Sequence, residues 1–101
     1  MLQANVKKSN INYFVDLKLT GIRVEEFMFS LLFGFDKQME VTTHWELVDM
    51  ITDNHLDRGM ALKIREQLLL FKLIGNKLVK FTKDPYQVVL FFENNLKLIV
   101  Y

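Results

Sequence analysis

The residues best suited to chemistry are the two histidines and the acids beside them. His55 lies between Asp53 and Asp57, and His44 stands further upstream. Imidazole and carboxylate groups bind metal ions or move protons, but metal sites need several ligands at characteristic spacings, which this stretch does not reproduce. The chain has no cysteine, no phosphate-binding glycine loop and no nucleophile or zinc-protease motif. We therefore expect no metal site, no cofactor and no enzymatic activity.

The charged residues are unevenly distributed along the chain. In total, 13 lysines and arginines against 12 acids give a formal net charge of +1. Residues 24–54 carry an acidic excess, whereas residues 55–84 carry a basic one. The basic residues there are Arg58, Lys63, Arg65, Lys72, Lys77, Lys80 and Lys83. This segregation predicts an acidic side and a basic side of the molecule, unless both are ordinary solvated surfaces.

Length and composition indicate one folded domain. The chain has 101 residues, half of them hydrophobic, and a single proline, which excludes a disordered or low-complexity protein. Residues 1–10 are predicted to be a loose segment, and residues 11–101 a single compact domain. We predict no signal peptide and no membrane-spanning segment, because no apolar run is long enough. The expected protein is intracellular and cytoplasmic.

Four segments are predicted to be strands. Residues 11–19 alternate apolar and polar side chains, which is the period of a strand with one buried face. The last quarter of the chain holds three further strand-like runs, at 77–82, 87–93 and 96–101. A proline turn and an Asn-Asn turn separate these runs, so they are predicted to form an antiparallel sheet.

Three helices are predicted between the first strand and the last three. Apolar residues at positions i, i+3 and i+4 predict helices over 24–35, 43–53 and 57–74. Thr43 and Glu46 have the spacing of a capping box at the start of the second helix. The third helix is apolar all round in its second half, so the sheet or a second copy of the chain should cover it. The order β-α-α-α-β-β-β predicts an α+β fold, and no internal repeat is visible.

This order of elements resembles the winged helix-turn-helix domains of small transcription regulators. The resemblance covers residues 41–93, where a supporting helix begins at Thr43, residues 57–74 match the recognition helix and residues 77–93 match the wing. It implies a three-helix core with a small antiparallel sheet. It also implies a DNA-binding transcription regulator that places 57–74 in the major groove and the basic hairpin 77–93 on the backbone.

The resemblance assigns the basic residues to contacts with double-stranded DNA. Lys80 and Lys83 would flank the wing turn and hold phosphates, which supply most of the affinity. The other five basic residues of 55–84 complete the predicted nucleic-acid-binding set. A homodimer is implied as well, since twofold DNA sites mirror dimers. Its contacts would come from an edge strand or from Leu69, Leu70 and Leu73.

A second interpretation from a different functional class stays open. The acidic helices predicted within 24–54 could dock on another protein. So could apolar surface left exposed by the nine phenylalanines of the chain. The protein would then be a non-enzymatic interaction module, such as a small inhibitor or adaptor of the kind carried by phages and mobile elements.

Overall fold

The computed structural model describes residues 2–5, 11–25, 28–34, 36–60 and 69–101. Within these ranges the chain forms strands and two short 3₁₀ helices, and no α-helix. The elements in chain order are β1 (Leu2–Asn5), the first 3₁₀ helix (Ile11–Phe14), β2 (Leu19–Val24), β3 (Phe29–Phe33), β4 (Lys37–Val41), β5 (His44–Asp49), β6 (His55–Met60), the second 3₁₀ helix (Leu69–Leu73), β7 (Leu78–Lys83), β8 (Val88–Phe92) and β9 (Leu96–Val100).

The strands form two sheets. One sheet has four strands in the order β1-β4-β3-β2, and the other has five in the order β6-β5-β9-β8-β7. Strand β1 pairs with β4 in parallel, and the other pairs among the described strands are antiparallel. Where the sheets meet, Lys18 and Lys77 form an isolated antiparallel bridge.

One hydrophobic core lies between the two sheets. Rings from the four-stranded sheet meet elements outside it: the ring centroid of Phe33 is 5.4 Å from that of Phe14, in an edge contact. The ring of Phe29 makes a similar contact with Trp45 of the five-stranded sheet, at 5.7 Å. Such edge contacts add to the free energy gained by burying the rings. The sheets therefore stabilise each other rather than folding as separate units.

The same backbone arrangement occurs twice in the chain. Strands β2, β3 and β4 recur 59 positions later as β7, β8 and β9, as from Leu19 to Leu78. A 3₁₀ helix precedes each set, and β2 and β7 each carry a bulge directly after their first residue. We call residues 11–41 the first half and residues 70–100 the second half. This repeat is not visible in the amino-acid sequence.

Hydrogen bonds relate the two halves by an approximate two-fold axis. The Leu19 N–H donates to the Asn76 carbonyl at 2.9 Å, and the Leu78 N–H donates to the Leu17 carbonyl at 3.0 Å. Each of these bonds becomes the other when the two halves are exchanged. They lie on either side of the isolated bridge, so the axis passes through that bridge.

A second pair of bonds around the axis obeys the same exchange. The Asp16 N–H donates to the Leu78 carbonyl, and the Gly75 N–H donates to the Leu19 carbonyl, both at 2.7 Å. Asp16 and Gly75 are equivalent positions, and both have positive φ, at 70° and 90°. Each half therefore hydrogen-bonds its tight turn to the opening strand of the other half.

The predicted α+β fold with a three-helix core is wrong, since the described chain consists of strands and 3₁₀ turns. In the helix predicted over 24–35, the described residues are instead the end of β2 and the whole of β3, while 26, 27 and 35 lie outside the described residues. Its run Phe27–Phe33 is apolar at nearly every position and so satisfies helical and strand spacing alike. Strand β3 pairs with a neighbour on each side, and this tertiary pairing decides its conformation.

The second predicted helix, 43–53, is also a strand over most of its length. In β5, Trp45 and Leu47 are buried while Glu46 between them is half-buried, which is strand alternation. The capping box does not form, because the Thr43 hydroxyl is buried without a hydrogen-bond partner and Glu46 bonds elsewhere. Aromatic and β-branched residues favour a strand here, although the polar pattern mimics a helix start.

The third predicted helix, 57–74, overlaps β6 and the second 3₁₀ helix, while its middle, 61–68, lies outside the described residues. Without a helical core, the resemblance to winged helix-turn-helix domains is wrong, and with it the placement of a recognition helix in a DNA groove. The predicted role as a winged-helix transcription regulator loses its basis for the same reason. Gly75 does have the positive φ predicted for the end of the third helix, but the turn that it ends is a 3₁₀ turn.

The three C-terminal strands are confirmed. Strands β7, β8 and β9 coincide with the predicted runs to within one residue at most ends, and they are antiparallel. Asn95 adopts the positive φ expected of the Asn-Asn turn, at 64°. The predicted strand 11–19 begins as a 3₁₀ helix, and β2 starts only at Leu19. Residues 2–5, predicted to be loose, pair with β4 as β1.

Candidate binding face at the internal two-fold axis

The basic residues predicted to bind nucleic acid are not gathered on one element. Arg58 lies on β6, whereas Lys80 and Lys83 lie on β7, at the opposite edge of the five-stranded sheet. Four strand spacings separate these edges, which is roughly 19 Å. Lys72 is on the second 3₁₀ helix, and Lys77 is at the two-fold axis.

Two of these basic residues lie next to an acidic or aromatic residue of the same chain. Arg58 is directly opposite Glu46 in the β5–β6 register. The Lys80 ammonium lies 4.8 Å above the ring centroid of Phe91, in a cation–π contact. Lys63 and Arg65 lie outside the described residues. Contact of the seven basic residues with nucleic acid stays a prediction.

The leucines predicted to form a homodimer are mostly inside the chain's own core. Leu70 and Leu73 are fully buried, whereas Leu69 is 37% exposed. In a 3₁₀ helix residues three apart lie on the same side, so Leu70 and Leu73 together face the core. Of the three, only Leu69 is accessible to a second copy.

Six residues around the two-fold axis expose their side-chain positions on one surface. Alternate residues of the crossing strands point outward, and all of these positions are exposed. They are Asp16, Lys18 and Thr20 from the first half and Gly75, Lys77 and Val79 from the second. We call this surface the dyad face.

At the centre of the dyad face, Lys18 and Lys77 are held directly opposite each other. The hydrogen bonds beside the bridge belong to the neighbouring residues, so the lysines form a non-hydrogen-bonded pair. In such a pair the Cα atoms are about 4.5 Å apart and the side chains are close. Like charges in this position are destabilising. Among the described residues, neither lysine forms an ion pair, although Asp16 lies on the same surface.

Exposed apolar side chains lie close in the chain to Lys77 in the second half. Val79 on the dyad face is 45% exposed, and Phe71 and Ile74, just before it in the chain, are 50% and 40% exposed. Phe71 and Ile74 are three residues apart, and the Ile74 N–H donates to the Phe71 carbonyl at 3.1 Å, so they share one side of the turn. Thr20 takes the place of Val79 in the first half. This part of the molecule is therefore both cationic and apolar.

A second cluster of titratable groups lies at the other end of the five-stranded sheet. Tyr101 donates its hydroxyl hydrogen bond to Glu46 Oε1 at 2.9 Å, and His55 Nδ1 bonds Glu46 Oε2. Burial raises the pKa of Glu46, but the hydrogen bonds from Tyr101 and His55 and the positive charges of His55 and Arg58 outweigh it, so the pKa lies below its usual value. Burial, then the bond to the Glu46 carboxylate, raises the pKa of Tyr101.

This cluster links three chain segments. Glu46 is on β5, His55 begins β6 and Tyr101 follows β9, and the Tyr101 N–H also donates to the His44 carbonyl at 3.0 Å. A carboxylate on Nδ1 orients an imidazole, as in catalytic triads, but among the described residues no hydroxyl nucleophile is hydrogen-bonded to His55. The contacts therefore fasten Tyr101 to the β5–β6 hairpin.

The described residues contain no group of three or more histidines and acids able to hold a metal ion. No helix found among them is long and apolar enough to cross a membrane. No family model matches the chain, and no curated protein or solved structure is detectably similar to it.

Proposed function

We propose that this chain is a non-enzymatic binding module whose dyad face docks an acidic segment of another protein. The observation that supports this is the exposed lysine pair at the axis. The fold holds Lys18 and Lys77 opposite each other at a cost in stability, and a carboxylate placed between them would turn that repulsion into two attractions. The cytoplasmic location expected from the sequence is part of this proposal.

The exposed apolar residues favour a protein partner over a nucleic acid. Interfaces with DNA are more polar and much more positively charged than interfaces between proteins. Here Val79, Ile74 and Phe71 are between 40% and 50% exposed and lie close in the chain to Lys77. Aromatic and aliphatic side chains of this kind gain free energy when a protein surface covers them. An acidic segment that also carries aromatic residues satisfies both features.

The proposal is tested with a random copolymer of glutamate and tyrosine as the probe, by fluorescence anisotropy of the labelled copolymer. We expect saturable binding that weakens between about 50 and 200 mM salt, because the attraction is between exposed charges. Lys77→Gln and Lys18→Gln should each weaken binding about two- to fivefold, the range for an exposed ion pair. Lys83→Gln is the matched control, since Lys83 lies six residues along β7, about 20 Å away.

Three outcomes contradict the proposal. Equal losses from Lys83→Gln and Lys77→Gln would mean that only net charge matters. Tighter binding to duplex DNA than to the copolymer at the same salt would identify a nucleic-acid surface instead. A dimer in sedimentation velocity that both axis variants dissociate would identify a second copy of the chain as the occupant.

A further inference from the structure

A groove opens beside the dyad face in the first half. It lies between the start of β2 and the turn that joins β3 to β4, and its volume is about 350 Å³. That volume is at the small end of ligand pockets and suits a single side chain or a fragment of similar size. Its lining residues are Leu17, Lys18, Thr20, Phe33, Gly34, Asp36 and Lys37.

Two hydrogen bonds span the equivalent place in the second half. There the Glu93 N–H donates to the Lys77 carbonyl at 3.0 Å, and the Asn94 side-chain amide donates to the Lys72 carbonyl at 3.1 Å. Gly34 and Lys18 are the equivalents of Glu93 and Lys77, and no such bond joins these two described residues. The groove is thus a local opening of a backbone arrangement that is otherwise repeated.

The groove combines an apolar floor with a cationic rim. The half-buried Leu17 supplies the apolar surface, whereas the side chain of Phe33 is only 1% exposed. Lys18 and Lys37 lie on either side: Leu19, next to Lys18, pairs with Phe33, which in turn pairs with Lys37. This is two strand spacings, or about 10 Å. Asp36 offsets one of the two charges, and neither lysine has an ion pair among the described residues.

We propose that the groove binds a carboxylate carried on an apolar body, with the body against Leu17 and the carboxylate between Lys18 and Lys37. In the docked complex this ligand is an acidic residue beside an aromatic one in the partner's chain. That last step rests on the function proposed above, because Lys18 belongs to both the groove and the dyad face. The groove therefore decides which acidic segments fit.

The small-molecule test is an amide chemical-shift titration of the intact protein with 3-phenylpropionate. We expect saturable shifts at Thr20, Gly34 and Asp36. The alcohol 3-phenylpropan-1-ol keeps the ring without the charge, and acetate keeps the charge without the ring. Each should bind at least about two- to fivefold more weakly than 3-phenylpropionate, since each lacks one of the two contacts.

Variants at one position separate charge from shape. Lys37→Gln should weaken 3-phenylpropionate about two- to fivefold and leave the alcohol unchanged. Lys37→Leu introduces the residue found at the equivalent position, Leu96, and should remove the preference for the acid over the alcohol. Lys83→Gln, on the far end of β7, is the control and should change neither ligand.

The outcomes distinguish failure of the groove from failure of the proposed function. If acetate shifts the groove amides as strongly as 3-phenylpropionate, or if the shifts lie elsewhere, the groove inference is overturned. Copolymer binding that depends on Lys77 would still support the function in that case. If 3-phenylpropionate binds the groove but the copolymer does not bind at all, the groove is a site for a free organic carboxylate and the partner protein is rejected.

Discussion

In the first half, Leu31 and Phe33 extend from β3 into the core, and in the second half Leu90 and Phe92 occupy the same places on β8. Six further pairs of buried positions are also apolar in both halves. The pairs are Ile11 with Leu70, Phe14 with Leu73, Leu19 with Leu78, Phe29 with Val88, Met39 with Leu98, and Val41 with Val100. Two quite different sequences therefore adopt one backbone while these inward-facing positions stay apolar.

The outward-facing residues of the two halves differ in chemistry. On β3, Ser30 is buried with an unpartnered hydroxyl, whereas its equivalent on β8, Val89, is apolar and 7% exposed. Near Ser30 the Arg23 side chain donates to the Gln38 amide oxygen at 3.1 Å, and no polar pair replaces it at Thr82 and Lys97 among the described contacts. The inward-facing residues determine the fold. We therefore expect functional features where the remaining residues of the two halves differ. The groove and the exposed apolar residues are two such places.

The largest expected effect comes from the matched core rings. Phe33→Ala and Phe92→Ala should each lower the free energy of unfolding by about 3–5 kcal/mol, measured by urea denaturation. Because Phe33 borders the open groove, the loss of unfolding free energy from Phe33→Ala should fall at the lower end of this range. If either variant does not fold, Phe→Leu at the same positions provides a milder comparison. A loss below about 1 kcal/mol at one position would break the equivalence of the two halves.

Substitutions at the two equivalent turn positions, Gly75 and Asp16, should change the stability of the protein in opposite directions. Gly75→Ala should cost about 1–2 kcal/mol, because its φ is 90° and the added Cβ meets no atom within 4 Å, leaving backbone strain alone. Asp16→Gly relieves the same strain, partly offset by the greater freedom of glycine when unfolded. Gly21→Ala is the control, since that Cβ would meet Leu32 at an ordinary 3.5 Å. Thermal melts that show equal losses for Gly75→Ala and Gly21→Ala would contradict this account.

The cluster on β5 has no counterpart in the first half, where the parallel β1 lies beside β4 instead. The pKa of Glu46 in the folded protein lies below 4.5, so its stabilising contribution is present above that pH and is lost as the pH falls through the folded value. Glu46→Gln should cost about 0.5–1 kcal/mol at pH 7, since His55 is largely exposed and the pair is screened. The difference from the wild type should shrink under acid conditions in urea titrations, and a difference that stays constant with pH would argue against it.

The smallest expected effect is a gain in stability. Lys77→Gln removes the like-charge pair and should stabilise the protein by about 0.2–1 kcal/mol at low salt. In about 1 M salt the gain should vanish, because the screening length is then only about 3 Å. Adding Lys18→Gln should give little more, since the repulsion is already gone. A loss of stability from Lys77→Gln in differential scanning calorimetry would show that the lysines do not repel each other.

Local sequence signals were sufficient to predict strands where tight turns connect them. Pro85 and the Asn-Asn turn separate β7, β8 and β9, and short-range turn chemistry places these strands from the sequence alone. The run over β3 carries no such signal, because almost every position is apolar and the neighbouring strands decide its conformation. That is why sheet residues were predicted to be helical.

The candidate site depends on pairing that local patterns do not reveal. The lysine pair at the axis joins positions 59 apart in the chain, from Lys18 to Lys77. In the sequence this pair appears as Lys-Leu at the start of β2 and again at the start of β7, which is too short a match to stand out from chance. Local sequence patterns do not reveal the groove either. It lies where the first half lacks, between Gly34 and Lys18, the hydrogen bond that joins Glu93 to Lys77 in the second half.

The exchange of hydrogen bonds across the axis has a consequence for how the molecule reaches its native state. Asp16 and Gly75 each find their acceptor about 60 residues away, so neither half can complete its own turn before the chain has closed that loop. High contact order of this kind places a small β protein among the slower folders, on the millisecond-to-second scale. During biosynthesis the first half therefore cannot form these backbone hydrogen bonds until the second half has emerged from the ribosome.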